Sequence, residues 1–217
     1  AIIAFVGGAQ YHNPMTQRYQ KLTNDFGPLR FIGQLEVEYT DGSTQTFATD
    51  DSWKYTENTP YTFCSWYGGE DYDANRATQE SLQADIDSWR NAVLCTDTIG
   101  KLKAQYYQPT DVVETWHPVS VKAINDNEYL LDFGQNFAGQ YEFTLKGTKG
   151  QTIQLWPAEL LNAQGSIDQY QTGTPVYDQY TFSGEADGET WGPTLVYHGF
   201  RYLLVKGLDK APTTDQF

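Results

Sequence analysis

Apolar and polar positions alternate along much of the chain. Leu35, Val37 and Tyr39 alternate with Glu36 and Glu38, the period-two signature of a half-buried strand. Asp41-Gly42 follows as a hairpin turn, and residues 44–49 read as the return strand. Residues 60–66 form another strand, rich in rings. The one helical pattern is weak: Trp89 and Val93 share a face if residues 85–93 make a turn or two. Past Gln108-Pro109 come apolar runs at 112–113, 119–124, 129–133, 141–145, 152–156, 177–182 and 202–205. Asn125-Asp126-Asn127, residues 146–150 and Ser183-Gly184 separate them with turn chemistry. About seven short strands at such intervals predict a β-sandwich.

The fold class expected is therefore all-β, with two β-sandwich domains in series. The expected boundaries are residues 1–108, residues 109–207 and a linker over 208–217, the two cores unshared. The start, Ala1-Ile2-Ile3-Ala4-Phe5-Val6, is too short for a signal-peptide core and reads as a strand cut at its beginning. Both ends suggest a piece of something longer. No internal repeat interrupts the pattern.

Composition narrows the function classes. The 217 residues include 16 Tyr, 11 Phe and 6 Trp, and such a load of rings argues against disorder. No apolar run approaches the roughly 18 residues of a membrane span. The net charge is −14, acidic in both halves and without a basic cluster, so nucleic acid and anionic membranes are unfavourable partners. Cys64 and Cys95 suit either a disulfide or two buried thiols. His12, His117 and His198 are too scattered for a zinc site.

No nucleophile elbow, phosphate-binding loop, dinucleotide fingerprint or zinc-protease motif is present. The densest chemistry is Ser65-Trp66-Tyr67-Gly68-Gly69-Glu70-Asp71-Tyr72-Asp73. Trp66 and Tyr67 offer ring faces to a sugar, and Glu70, Asp71 and Asp73 offer acceptors for its hydroxyls. The same oxygens on a glycine-bent loop suit Ca²⁺, although no cofactor is required. The plainer reading has buried rings and solvated acids, with Glu70 braced by Arg76 or another base. Two further stretches, Asp132-Phe133-Gly134-Gln135-Asn136-Phe137-Ala138-Gly139 and Tyr197-His198-Gly199-Phe200-Arg201-Tyr202, are either ligand loops or turns locked by amides and ring packing.

These stretches also carry a resemblance. In order the chain shows Tyr11-His12-Asn13-Pro14, then Gln34 to Gly42, Thr49-Asp50-Asp51-Ser52-Trp53-Lys54 and Tyr67-Gly68-Gly69-Glu70-Asp71-Tyr72-Asp73-Ala74. The Asp132 and Tyr197 stretches and Trp156-Pro157-Ala158-Glu159-Leu160-Leu161 complete the series. It resembles the β-sandwich modules that precede the catalytic barrel in inverting α-L-rhamnosidases of bacteria and fungi. The resemblance implies a galactose-binding-like jelly roll, N-terminally truncated, followed by a smaller antiparallel sandwich. It implies that the catalytic carboxylates, which an inverting site holds roughly 6.5–9.5 Å apart, belong to an (α/α)₆ barrel outside this chain. No catalytic residue is carried over. Where the family usually continues Tyr-Asp-Ala-Arg, this chain has Tyr72-Asp73-Ala74-Asn75-Arg76, which displaces that arginine by one position.

Three functions compete at this level. The first is an accessory portion of a glycoside hydrolase, with the barrel as intramolecular partner and a rhamnosylated glycan or glycoside as substrate. The second is a stand-alone carbohydrate-binding module reading L-rhamnose on the Trp66–Asp73 loop. A structural pair of adhesion-type sandwiches is the third. The first two imply a secreted or otherwise polysaccharide-facing protein.

Overall fold

A computed structural model describes residues 2–76, 86–96, 100–101 and 103–217. The strands of the first half are β1 (His12–Asn13), β2 (Asn24–Asp25), β3 (Gln34–Glu38), β4 (Thr44–Ala48), β5 (Lys54–Tyr55), β6 (Tyr61–Ser65), β7 (Gly69–Asp73) and β8 (Arg90–Asn91). The second half adds β9 (Ser120–Asn125), β10 (Glu128–Gly139), β11 (Phe143–Leu145), β12 (Thr152–Ala158), β13 (Leu160–Leu161) and β14 (Ile167–Asp168). It ends with β15 (Asp178–Thr181), β16 (Glu189–Trp191) and β17 (His198–Lys206). The chain is all-β with sandwich-like sheets, as the alternation predicts. The helix expected over 85–93 is not formed in its described part: one 3₁₀ turn spans Ile86–Ser88, and the chain then extends into β8. Its apolar positions bury little: Ile86 and Val93 are exposed and Trp89 is half-buried, so no packed face supports a helix.

Seven strands form the main sheet in the order β6-β7-β15-β12-β17-β10-β9. Every pairing in it is antiparallel except β7 with β15, where Asp71, Tyr72 and Asp73 run parallel to Gln179, Tyr180 and Thr181. The β11–β16 ribbon supplies the opposing layer, pairing Phe143 with Trp191. Leu131, Phe133, Ile153, Leu155, Tyr180, Phe200, Leu203 and Val205 pack against Phe143 and Trp191 between the layers. Leu131 with Phe133, Ile153 with Leu155 and Leu203 with Val205 hold alternate positions of their strands, as sheet-on-sheet packing requires, and Phe200 joins them across the irregularity at Arg201.

Strands from both halves thus share one sheet, contrary to the expectation of unshared cores. Among the described residues the buried hydrophobic core lies between Tyr129 and Phe217, and Tyr72 and Ala74 of the first half pack against it. The β3–β4 hairpin forms around Asp41-Gly42 as expected, through a three-residue loop over 40–42 that pairs Glu38 with Thr44 and places Gly42 at φ +81°. Its apolar face is not half-buried, however: Leu35, Tyr39 and Phe47 are each more than 40% exposed. The stretch 208–217, expected as a linker, instead folds back, burying Leu208 and Phe217 in the core. Val112 and Val113 form no strand and are exposed. No disulfide joins Cys64 to Cys95.

Candidate functional site

β6 and β7 carry the acidic aromatic segment to the edge of the main sheet. Gly69 opens β7 at φ +110°, a conformation open to glycine. A Cβ there would collide with the Tyr177 carbonyl oxygen and lie 2.7 Å from Asp178 Oδ1. The close approach of the two backbones is what allows β7 to run beside β15.

The acids of this segment point to different partners. Glu70, fully buried, accepts hydrogen bonds from the backbone N–H of Leu195 at 2.8 Å and of Thr194 at 3.2 and 3.3 Å. Its own N–H donates to Asp178 Oδ1 at 2.7 Å. Burial pushes the Glu70 carboxyl up to about 7; the Leu195 and Thr194 amides oppose that rise, and the Asp178 charge adds to it. Asp71 accepts from Arg18 Nη2 with both oxygens, at 2.6 and 2.7 Å. Burial raises the Asp71 carboxyl even so, against the hydrogen bond and charge of Arg18. Asp73 turns away and accepts from the N–H and side-chain amide of Asn75, closing a local turn.

Asp178 is the hub behind the segment. It is fully buried, and its Oδ2 accepts from the Tyr141 hydroxyl and lies 2.7 Å from His198 Nε2. The Tyr141 ring stacks on His198 at 6.2 Å, and burial with the neighbouring Asp178 charge raises its hydroxyl well above the ordinary value. Cys64 lies near these carboxylates, and burial pushes its thiol up to about 12, where it is no nucleophile. Arg18 closes the far side. It donates to the Tyr177 carbonyl at 2.8 Å and lies between the rings of Phe63 and Tyr177, 4.4 and 3.6 Å from their centroids.

The rings expected at a sugar site do not share a platform. Trp66 is half-buried, with its ring edge-to-face with exposed Tyr197 at 5.7 Å; Tyr67, also half-buried, meets Tyr19 edge-to-face at 6.3 Å. Among the described residues no group of three His, Cys, Asp or Glu side chains converges as a cation site. Arg76 donates to the Thr59 carbonyl, not to Glu70. Residues that sequence reasoning passed over hold the arrangement: Arg18, Asp178 and the amides of Thr194 and Leu195. No local signal marks them, because their partners lie 53 to 159 positions away.

Two family models fit this chain end to end. Residues 1–114 match the α-L-rhamnosidase N-terminal domain, and residues 122–217 match the bacterial α-L-rhamnosidase concanavalin-like domain. The chain belongs to the α-L-rhamnosidase family. An α-L-rhamnosidase of Alteromonas sp. (strain LOR) is 32% identical over 99% of this chain and 24% of its own length. One from Formosa agariphila is 31% identical over 88% of the chain and 21% of its own length. The chain thus spans under a quarter of these curated relatives. Among solved structures, the α-L-rhamnosidase of Dictyoglumus thermophilum superposes with a TM-score of 0.78 at 32% identity, over 85% of this chain and 21% of that one. That of Streptomyces avermitilis, complexed with L-rhamnose, gives 0.77 at 28% identity, over 85% and 18%. This family membership accounts for the order of the seven sequence motifs.

Proposed function

We propose that this chain is the accessory β-sandwich portion of an α-L-rhamnosidase, a scaffold without catalytic carboxylates of its own. The observation that carries the reading is the fate of the acids in the motif segment. Glu70 and Asp71 spend their oxygens on Thr194, Leu195 and Arg18, inside the fold, where they neither protonate a leaving group nor position a water. Hydrolysis of terminal α-L-rhamnosyl residues then belongs to an (α/α)₆ barrel in the same protein, which the sandwich supports. A carbohydrate-binding module on the Trp66–Asp73 loop is the less favoured reading, because Glu70 and Asp71 would have to exchange buried partners for sugar hydroxyls.

The test is an assay of the full-length parent and of the 217-residue chain on an aryl α-L-rhamnoside. Turnover by the parent and none by the chain is the expected result. Turnover by the chain alone, abolished by substituting one of its own acids, would overturn the proposal.

A further inference from the structure

The main sheet joins the two halves of the chain along one short seam. β7 and β15 share three residue pairs, the fewest of any neighbours in that sheet, against eight between β10 and β17. Across the seam the Ala74 N–H donates to the Thr181 carbonyl at 2.9 Å, and the Tyr177 N–H donates to that of Gly68 at 3.3 Å. The Tyr72 ring stacks on Tyr180 at 5.8 Å. Release of β6 and β7 would uncover the core at Tyr72 and Ala74 without removing a member of it.

Buried charge crowds this seam. Glu70 and Asp178 are fully buried, and the Asp71 side chain is 13% exposed. Arg18 neutralises Asp71 by giving both of its oxygens a donor. On β17, His198 Nε2 lies 2.7 Å from Asp178 Oδ2. The other titratable groups facing Glu70 or Asp178 bring no positive charge: Tyr61 and Cys64 on β6, Tyr72 on β7, and Tyr141 between β10 and β11. Glu70 itself receives only backbone amides, those of Thr194 and Leu195. With all three acids ionised the cluster carries three negative charges, against one positive charge on Arg18 and at most one on His198. At least one buried negative charge then lacks a counter-charge, which is costly in a site closed to water. A bound proton removes that charge, and opening to water removes the need for the proton.

We propose that the Glu70–Asp178–His198 cluster is a proton-dependent latch on the β7–β15 seam, closed while the cluster holds its proton and opening locally once it leaves. The β6–β7 hairpin then separates from β15 while the second sandwich stays folded. Glu70 carries the proton, since burial pushes its carboxyl up to about 7 from an ordinary 4.5. A group raised in the fold stabilises the closed seam fully below 4.5 and loses that contribution as pH rises to about 7. The Tyr72–Tyr180 stack and the backbone bonds of the seam carry no charge in this range. They set how firmly the latch closes, and the proton sets how that varies with pH.

Hydrogen–deuterium exchange of the 217-residue chain from about pH 5 to about pH 8, corrected for the intrinsic rate at each pH, tests the latch. The probes are the N–H groups of Glu70, Ala74 and Leu195, bonded across the seam to Asp178, Thr181 and Glu70. Amides of the β10–β17 ladder are the reference. Protection of the probes relative to the reference should fall with rising pH, by at most about tenfold per pH unit for one released proton, and level off above about 7. In Glu70→Gln the same ratio should not vary with pH. A ratio independent of pH in the unsubstituted chain, or an equal fall in Glu70→Gln, would overturn the proposal. If Glu70→Gln does not fold, the ¹³C carboxyl signal of Glu70 in the unsubstituted chain decides: a midpoint that tracks the loss of protection supports the latch, and one near 4.5 overturns it.

Discussion

Glu70 receives the N–H of Leu195 at 2.8 Å although 125 positions of chain separate them. This bond, with that of Thr194, joins the first half of the chain to the strand connection that leads into β17. It turns an acid in a sugar-site pattern into a clasp between two parts of one sheet.

Stability should therefore depend on the protonation of Glu70. Its carboxyl is held at about 7 in the fold against an ordinary 4.5, so the folded state binds the proton more tightly than the unfolded chain. That contribution is fully present below pH 4.5 and declines as pH rises to about 7. Asp71, also raised by burial, adds a fall of the same sign. Asp178 and His198 face the same cluster and set a common background. In urea titrations across this range, Glu70→Gln should remove a decline of at most about 3 kcal/mol. Equal slopes in the two proteins would refute the assignment.

Arg18→Ala should cost about 3–5 kcal/mol, since it leaves Asp71 buried without its partner and strips a cation from between two rings. Arg18→Lys should recover little, because an ammonium reaches neither the planar stacking nor both acceptors at once. Chemical denaturation of the three proteins decides this, and a loss under about 1 kcal/mol in Arg18→Ala would count against the pin.

Tyr141→Phe removes one donor from buried Asp178 while keeping the ring stacked on His198. The expected loss is about 1–3 kcal/mol. Amide exchange should accelerate along β7 and β15, whose pairing the hub supports. Exchange faster only in the β3–β4 hairpin would place the coupling elsewhere.

Two glycines separate backbone conformation from close approach. Gly42→Ala at the hairpin tip meets nothing within 4 Å, so only its positive φ opposes the change, at roughly 1 kcal/mol. Gly69→Ala adds a collision with the Tyr177 carbonyl and should prevent β7 from docking on β15. Thermal melts with amide exchange in β7 compare them. Similar, small effects at both sites would show that the backbones do not approach as described.

Local rules in the sequence determined the strand class, the Asp41-Gly42 hairpin and most of the core strands, because a strand writes its two faces as alternation and a turn needs particular residues. The all-β fold and the family order of motifs were legible on that basis. β16 was not, since Glu189-Thr190-Trp191 is too short to show a period. The extension of β10 past Phe133 was hidden as well, because Gly134-Gln135-Asn136 reads as a loop and is a bulge. Only the tertiary structure decided what the acids do. Composition gave Glu70, Asp71 and Asp73 one chemistry, but successive side chains on a strand point to opposite faces. Glu70 therefore meets Leu195 on one face and Asp71 meets Arg18 on the other, while Asp73, at the end of the strand, bonds Asn75 in the turn that follows. Burial and partners, set by contacts across more than a hundred residues, are quantities that no local pattern encodes.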